Sequence, residues 1–218
     1  MFCTPSDFDL LPYAIPNLTL VANTFPLYIE EKEREALTKL LGSQFYNEFI
    51  AGLEALPPDW EPAPVAYTIG QQVVNGVSIW QALADNSGVE PVEGADWTKV
   101  EDNKWLQLEK GFGFSYYGVY YEWLGMVDML KPYIFSYWLR DTFDNASGIG
   151  VVQGKAENAE VIAPATRIAR AYNQYAHRAY VMYYYMEVVN STTDPPPLYP
   201  SWNLQNVCEP GTMNTFGI

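Results

Sequence analysis

The chain has 218 residues, a formal net charge of -14 at pH 7, and 17 Tyr and 7 Trp. This length suits one domain of ordinary size with a substantial core and excludes a third independent unit. Lys and Arg number 12 against 26 Asp and Glu. The excess of acid argues against a broad nucleic-acid-binding face, because such faces depend on cations that neutralise phosphates.

The N-terminal sequence lacks the basic start and the long apolar run of a signal peptide. No stretch approaches the roughly 20 apolar residues of a membrane span. Cys3 and Cys208 lie near opposite ends of the chain, without the close Cys or His spacing of a zinc site. We therefore expect a soluble protein that is made in a reducing cytoplasm, has no membrane partner and carries no cofactor or metal.

Two helices are predicted near the start of the chain. Residues 1–25 contain three prolines and little periodicity, which predicts an extended arm laid on this subunit or on a neighbour. Pro26 opens an amphipathic helix that Gly42 ends. Ser43 then caps a second helix, which stops at Pro57. A single glycine between two helices predicts a helical hairpin or a near-right-angle corner.

A β-rich insert is predicted next, where prolines, glycines and short β-branched runs replace the helical period. The runs 67–74 and 77–83 flank Asn75-Gly76, a dipeptide that favours a tight hairpin turn. A third short strand is predicted at 96–100.

Helical signals return after the insert. Residues 104–110 predict a short helix, and the aromatic run 111–126 predicts a loop with a broken helix. Pro132 is expected to begin a further helix. A long helix follows over 155–189, where Pro164 either kinks it or starts its second part.

These elements predict a mainly α protein, a small connector-like helical bundle. Residues 26–60 and 103–190 form the bundle, and 61–102 form an inserted β-rich module. Residues 1–25 and 191–218 are expected to be extended arms. Three consecutive prolines in the second arm favour a polyproline-like chain.

No catalytic residue is expected. The single histidine, His177, lies within an aromatic helix where a structural role is favoured, and no second histidine exists to serve as a base. The acid pair Asp141 and Asp144 is more typical of exposed helix ends than of a glycosidase dyad. The run GIGVVQG from Gly148 lacks the Lys-Ser/Thr ending of a phosphate loop.

A basic stripe stands out in this acidic chain. Arg167, Arg170, Gln174 and Arg178 follow at steps of three and four on the last helix, so they share one face. Such a stripe requires a negative partner, either within the fold or on the next subunit. These alternatives stay open, and contact with DNA ranks third.

Several structural motifs follow one another in the order of one known family. They are the corner Leu40-Leu41-Gly42, the helix with Trp138, the turn with Gly148 and Gly150, the Glu157-Asn158-Ala159 start of a long helix, Ala171-Tyr172-Asn173 within it, and the ending NTFGI. With these motifs the chain resembles the head–tail connector or adaptor proteins of tailed phages that infect Bacteroidetes and related hosts.

The resemblance implies a structural protein of the virion neck, between capsid and tail. Such a protein forms a ring of about twelve copies below the portal protein, extends the DNA channel and docks tail or further neck proteins. DNA passes through without sequence-specific binding. Besides the three arginines, the candidate interface residues are Tyr199, Trp202, Phe216 and Ile218.

The insert is similar to small carbohydrate-binding modules of chitinases and of phage structural proteins. The matching pieces are Gly70, Val73-Val74, Asn75-Gly76, Trp80 to Leu83, Asn86, Gly88, Pro91 and Trp97. Trp97 is expected in a miniature core, and Tyr67 and Trp80 are the candidate binding surface. The alternative function is therefore a glycan- or protein-binding module displayed on a virion or cell-surface assembly.

Overall fold

The computed structural model of the protein describes residues 1–15, 24–146, 164–192, 196–207 and 210–213. Within these residues the chain forms five α-helices and seven β-strands in three small sheets. The fold is therefore mixed α/β, and the prediction of a mainly α bundle is wrong. None of the described helices is long and apolar enough to cross a membrane.

The elements alternate along the chain. The helices are α1 (Phe25–Leu41), α2 (Ser43–Glu54), α3 (Lys104–Lys110), α4 (Met126–Ala146) and α5 (Pro164–Asn190). The strands are β1 (Ala66–Tyr67), β2 (Gln72–Asn75), β3 (Ser78–Ala82), β4 (Asn86–Ser87), β5 (Trp97–Asp102), β6 (Phe112–Tyr116) and β7 (Val119–Trp123).

The predicted corner between the first two helices is confirmed. Gly42 has a φ of 76° and separates α1 from α2. A positive φ suits glycine because it has no Cβ to clash with the backbone. Ser43 is the first residue of α2 and not its cap, since Gly42 occupies that position.

The helices α4 and α5 pack antiparallel at the centre of the molecule. The ring of Tyr133 on α4 lies 4.7 Å from that of Tyr175 on α5, and the rings of Phe25 and Trp138 join α1 to α4 at 4.8 Å. The helix α4 starts at Met126 and not at Pro132, which lies inside it. The proline therefore leaves one carbonyl of the preceding turn without its usual donor.

The described part of the N-terminal arm packs on its own subunit. Residues 5–8 form a short 3-10 helix, and Cys3 and Phe8 are fully buried. The carboxylate of Glu33 on α1 accepts hydrogen bonds from the amides of Phe2 and Cys3. Burial raises the pKa of Glu33, while the two amides act in the opposite direction. Of the two predicted positions for this arm, its own subunit or a neighbour, the described residues take the first, although residues 5–8 are a 3-10 helix and not extended chain.

The β-rich insert has its own small core. The strands β2, β3 and β5 form one sheet, β1 pairs with β4, and the buried side chains are Tyr67, Val73, Ala82 and Trp97. Asn75 pairs with Ser78, so the hairpin loop is Gly76-Val77, one residue later than predicted. The insert contacts the helices where Leu106 of α3 packs on Val74 and Ile79.

Two glycines with positive φ allow the cost of steric crowding to be measured apart from the cost of backbone strain. A Cβ at Gly125 (φ 90°) would lie 2.6 Å from the carbonyl oxygen of Glu109, whereas a Cβ at Gly118 (φ 78°) meets nothing within 4 Å. We expect Gly118→Ala to cost about 1 kcal/mol of unfolding free energy. Gly125→Ala should cost about 3 kcal/mol. Urea unfolding measures both, and equal losses would contradict the predicted crowding.

Candidate interaction surfaces

A β-hairpin occupies the stretch predicted to be a loop with a broken helix. The strands β6 and β7 pair from Phe112↔Trp123 to Tyr116↔Val119. Tyr117 and Gly118 link them with φ values of 46° and 78°, as in the two-residue turns that match the twist of a hairpin. The sequence signal was present, because small or polar residues alternate with aromatic ones before the Tyr-Gly pair.

The inner face of this hairpin packs on α5. Tyr116 stacks on Tyr184 with ring centroids 4.6 Å apart, and Phe114 lies 5.7 Å from Tyr185. The hydroxyl of Tyr116 donates to Glu187 at 2.9 Å, and this hydrogen bond raises the pKa of Tyr116 to about 12. The hairpin is therefore held rigidly against the helix, which matters for the side chains at its tip.

The tip of the hairpin presents apolar and aromatic side chains to solvent. Tyr117 is 87% exposed, Tyr120 is 69% exposed and Val119 is 54% exposed. We call these three residues the aromatic tip. Phe112 and Leu124, at the base of the hairpin, extend the exposed apolar surface. Exposed apolar side chains that cluster in this way favour contacts with other proteins, because burying them removes apolar surface from water.

The predicted arginine stripe divides into two parts with different partners. Arg178 is largely buried and forms an ion pair with the carboxylate of Asp128 on α4. Its guanidinium also donates to the carbonyl oxygen of Asp128. That carbonyl is the one four residues before Pro132, which has no N–H to offer it. The intramolecular alternative therefore holds for Arg178, which has its acidic partner within the fold.

Burial shapes the electrostatics around Arg178. Burial lowers the pKa of its guanidinium, whereas nearby Tyr13 acts in the opposite direction. Burial also raises the pKa of Tyr13, with Arg178 opposing it. Arg178 keeps its charge at any physiological pH because the reference value for arginine is so high.

Arg167 and Arg170 remain exposed at the start of α5. The guanidinium of Arg167 lies 5.6 Å from the ring centroid of Phe135, and Tyr13 donates to Gln174 at 2.5 Å. These five side chains line a cleft of about 110 Å³, which we call the arginine cleft. Neither arginine forms an ion pair within the part of the chain that the structure describes. The cleft therefore offers two uncompensated cations above an apolar floor.

His177 lies at a second cleft, beside the first. This cleft has a volume of about 270 Å³, and Trp123, Leu124 and Val181 form part of its wall. His177 is exposed and makes no hydrogen bond to any described residue. The described residues contain no cluster of His, Cys, Asp or Glu that could hold a metal ion.

The candidate residues of the C-terminal arm pack within their own subunit where the structure describes them. Tyr199 is 1% exposed, and its hydroxyl donates to the carbonyl of Lys104. Its backbone exchanges two hydrogen bonds with the side chain of Asn190. Trp202 is half-buried against the ring of Tyr183. Tyr199 therefore cannot anchor a neighbour, and Trp202 offers only part of its surface. Phe216 and Ile218 lie outside the described residues.

The candidate binding surface of the insert is also turned inward. Tyr67 is 3% exposed and packs edge-on against Trp97, which lies in the miniature core as predicted. Trp80 is half-buried, and its indole nitrogen has no hydrogen-bond partner among the described residues. A ring must present a face to solvent in order to stack on a sugar. Tyr67 cannot do so, and its prediction as a binding residue is wrong.

Comparisons with protein-family models, with curated proteins and with solved structures find no match to this chain. Two exposed features of the structure remain as candidate binding surfaces, the aromatic tip and the arginine cleft. Both are suited to non-covalent recognition, one through apolar contact and the other through charge.

The ion pair of Arg178 predicts a coupling with Pro132. Arg178→Met should cost about 2 kcal/mol of unfolding free energy, because it leaves a carboxylate and a carbonyl of Asp128 without their donor. Pro132→Ala supplies an N–H for that carbonyl. The same arginine substitution should therefore cost less in the Pro132→Ala background. Chemical denaturation of the four variants measures the coupling, and identical losses in both backgrounds would refute it.

Proposed function

We propose that this chain is a structural subunit of the neck of a tailed bacteriophage. About twelve copies form a ring below the portal protein, extend the DNA channel and dock tail components. The chain is made in the host cytoplasm and enters the virion at the joint between capsid and tail. It binds through surfaces and carries out no reaction. The family resemblance suggests which assembly the chain belongs to, and the exposed surfaces support a role in binding other proteins.

The aromatic tip is the observation that supports an assembly role most directly. Tyrosine is enriched in protein interfaces because its ring adds apolar contact and its hydroxyl retains a polar partner. Here Tyr117 and Tyr120 project from a turn whose strands are packed on α5. Because the tip is already held in shape, a partner that covers it pays little ordering entropy.

The overall charge agrees with a channel for DNA. With a formal net charge of -14, a ring of copies carries a strongly negative total charge. Like charge repels the phosphate backbone and lets the duplex slide through without being held. A wall of lysine and arginine would instead retain it.

The first experiment is a measurement of mass by light scattering, for the full chain alone and with a soluble portal complex of the same phage. A ring, or portal-dependent recruitment of about twelve copies, is the expected result. A chain that stays monomeric under both conditions would refute the neck-ring proposal.

The aromatic tip supplies the matching variant. Tyr117→Asn with Val119→Thr removes the exposed apolar surface, and asparagine tolerates the positive φ at position 117. We expect assembly to weaken by about tenfold while the unfolding free energy of the monomer is unchanged. Leu27→Gln is the control, since Leu27 is 67% exposed on α1, away from the hairpin. An equal loss of assembly in the control would rule out a specific role for the tip.

A further inference from the structure

The insert and the helix α5 carry opposite charge. Residues 61–102 contain seven Asp and Glu against one Lys. Residues 164–190 contain three Arg against one Glu. The insert touches the helical body through Leu106 of α3, and Gln107 of α3 accepts a hydrogen bond from Tyr185 in the second half of α5. The arginine cleft lies about 22 Å further along the helix, at 1.5 Å per residue. The insert therefore lies towards one end of α5 and the arginine cleft lies at the other.

Three of the seven acidic residues of the insert, Glu90, Glu93 and Asp96, lie on one loop with a defined shape. Residues 88–96 form this loop, which we call the acidic loop. The carboxylate of Glu93 accepts from the amide of Lys99 at 2.9 Å, and the indole of Trp97 donates to the carbonyl of Val89 at 3.0 Å. Glu90 and Val92 point outward from this support. Among the described residues, the side chain of Glu90 has no hydrogen bond and no ion pair.

We propose that the arginine cleft binds the acidic loop of a second copy of this chain. The inference rests on the proposed ring, because it names the contact that joins neighbouring subunits. Arginine pairs with a carboxylate through two parallel hydrogen bonds, so Arg167 and Arg170 match the acid of the loop. The exposed Val92 beside Glu90 matches the apolar floor that Phe135 and Tyr13 give to the cleft.

The placement of the two surfaces explains why the contact joins copies head to tail. A cleft and a loop at opposite ends of one molecule cannot meet within that molecule. They also form a heterologous interface, in which each copy uses its cleft towards one neighbour and its loop towards the other. Repeated heterologous contacts close into a ring when the rotation between neighbours allows it. The cleft and the loop of each copy are therefore sufficient to form every contact between neighbouring copies in the ring.

Charge reversal at single positions tests the proposal with the full chain. Both arginines are exposed, and Arg170 is chosen because Arg167 contacts the ring of Phe135, so Arg170→Glu leaves that packing intact. Glu90→Arg is the counterpart on the loop. Each variant alone should lose at least about tenfold in association constant, since like charges then meet at every joint. The loss should shrink at high salt.

Mixing the two variants gives the decisive result. In a ring of alternating variants, the normal loop of an Arg170→Glu chain meets the normal cleft of a Glu90→Arg chain. At the next joint the reversed cleft meets the reversed loop. Opposite charges therefore face each other at every joint of the mixture. We expect the mixture to recover assembly to within about threefold of the unmodified chain. Each chain in the mixture keeps its own substitution, so a chain that failed to fold would still fail to fold after mixing. Recovery by mixing therefore shows that the single variants lost assembly through charge and not through misfolding.

Matched controls change the same charges elsewhere. Arg34→Glu and Glu54→Arg alter exposed side chains on α1 and α2, and they should leave assembly within about twofold of normal. If the unmodified chain assembles and both test variants assemble equally well, this inference is overturned and the neck-ring proposal stands. If Arg170→Glu weakens only recruitment to the portal and mixing restores nothing, the cleft binds another acidic partner and the inference is wrong. A chain that never assembles overturns both proposals.

Discussion

The junction of Pro132, Asp128 and Arg178 is the constraint on which the rest of the structure depends. A proline inside α4 removes the donor for one carbonyl, and a largely buried carboxylate belongs to the same residue as that carbonyl. One arginine from α5 satisfies both groups. This contact ties the two central helices together at a defined register. The hairpin that precedes α4 and the segment that carries Tyr13 are positioned against that pair of helices.

The arginines of α5 thus divide into one that pairs with α4 and two that remain exposed. Arg178 lies deep enough that an unpaired charge there would be costly, and Asp128 supplies the partner. Arg167 and Arg170 lie near the N-terminal end of α5, where they are exposed and water can solvate their charges. A sequence stripe at helical spacing does not reveal this division. It depends on which turn of the helix faces another element.

The elements with strong local signals were the ones that the sequence predicted. Gly42 and the prolines after α2 end their helices for reasons that any context preserves, and Asn103 caps α3 through two amides. The hairpin at Phe112–Trp123 was missed because its alternation of aromatic with small or polar residues is only five residues long and lies within a longer aromatic run. Tyr199 was misjudged for a different reason. An aromatic side chain in a proline-rich tail can cover its own core or that of a neighbour, and only the path of the chain decides which.

The capture of the first residues by Glu33 has a practical consequence for handling the protein. The amides of Phe2 and Cys3 donate hydrogen bonds to the buried carboxylate of Glu33, while Met1 is 66% exposed. An affinity tag fused before Met1 therefore has a route into solvent. Proline at residue 2 or 3 removes a backbone donor from Glu33. A linker that replaces these residues keeps the backbone donors but removes the buried side chain of Cys3 from the core. Tags are best joined upstream of an intact Met-Phe-Cys start.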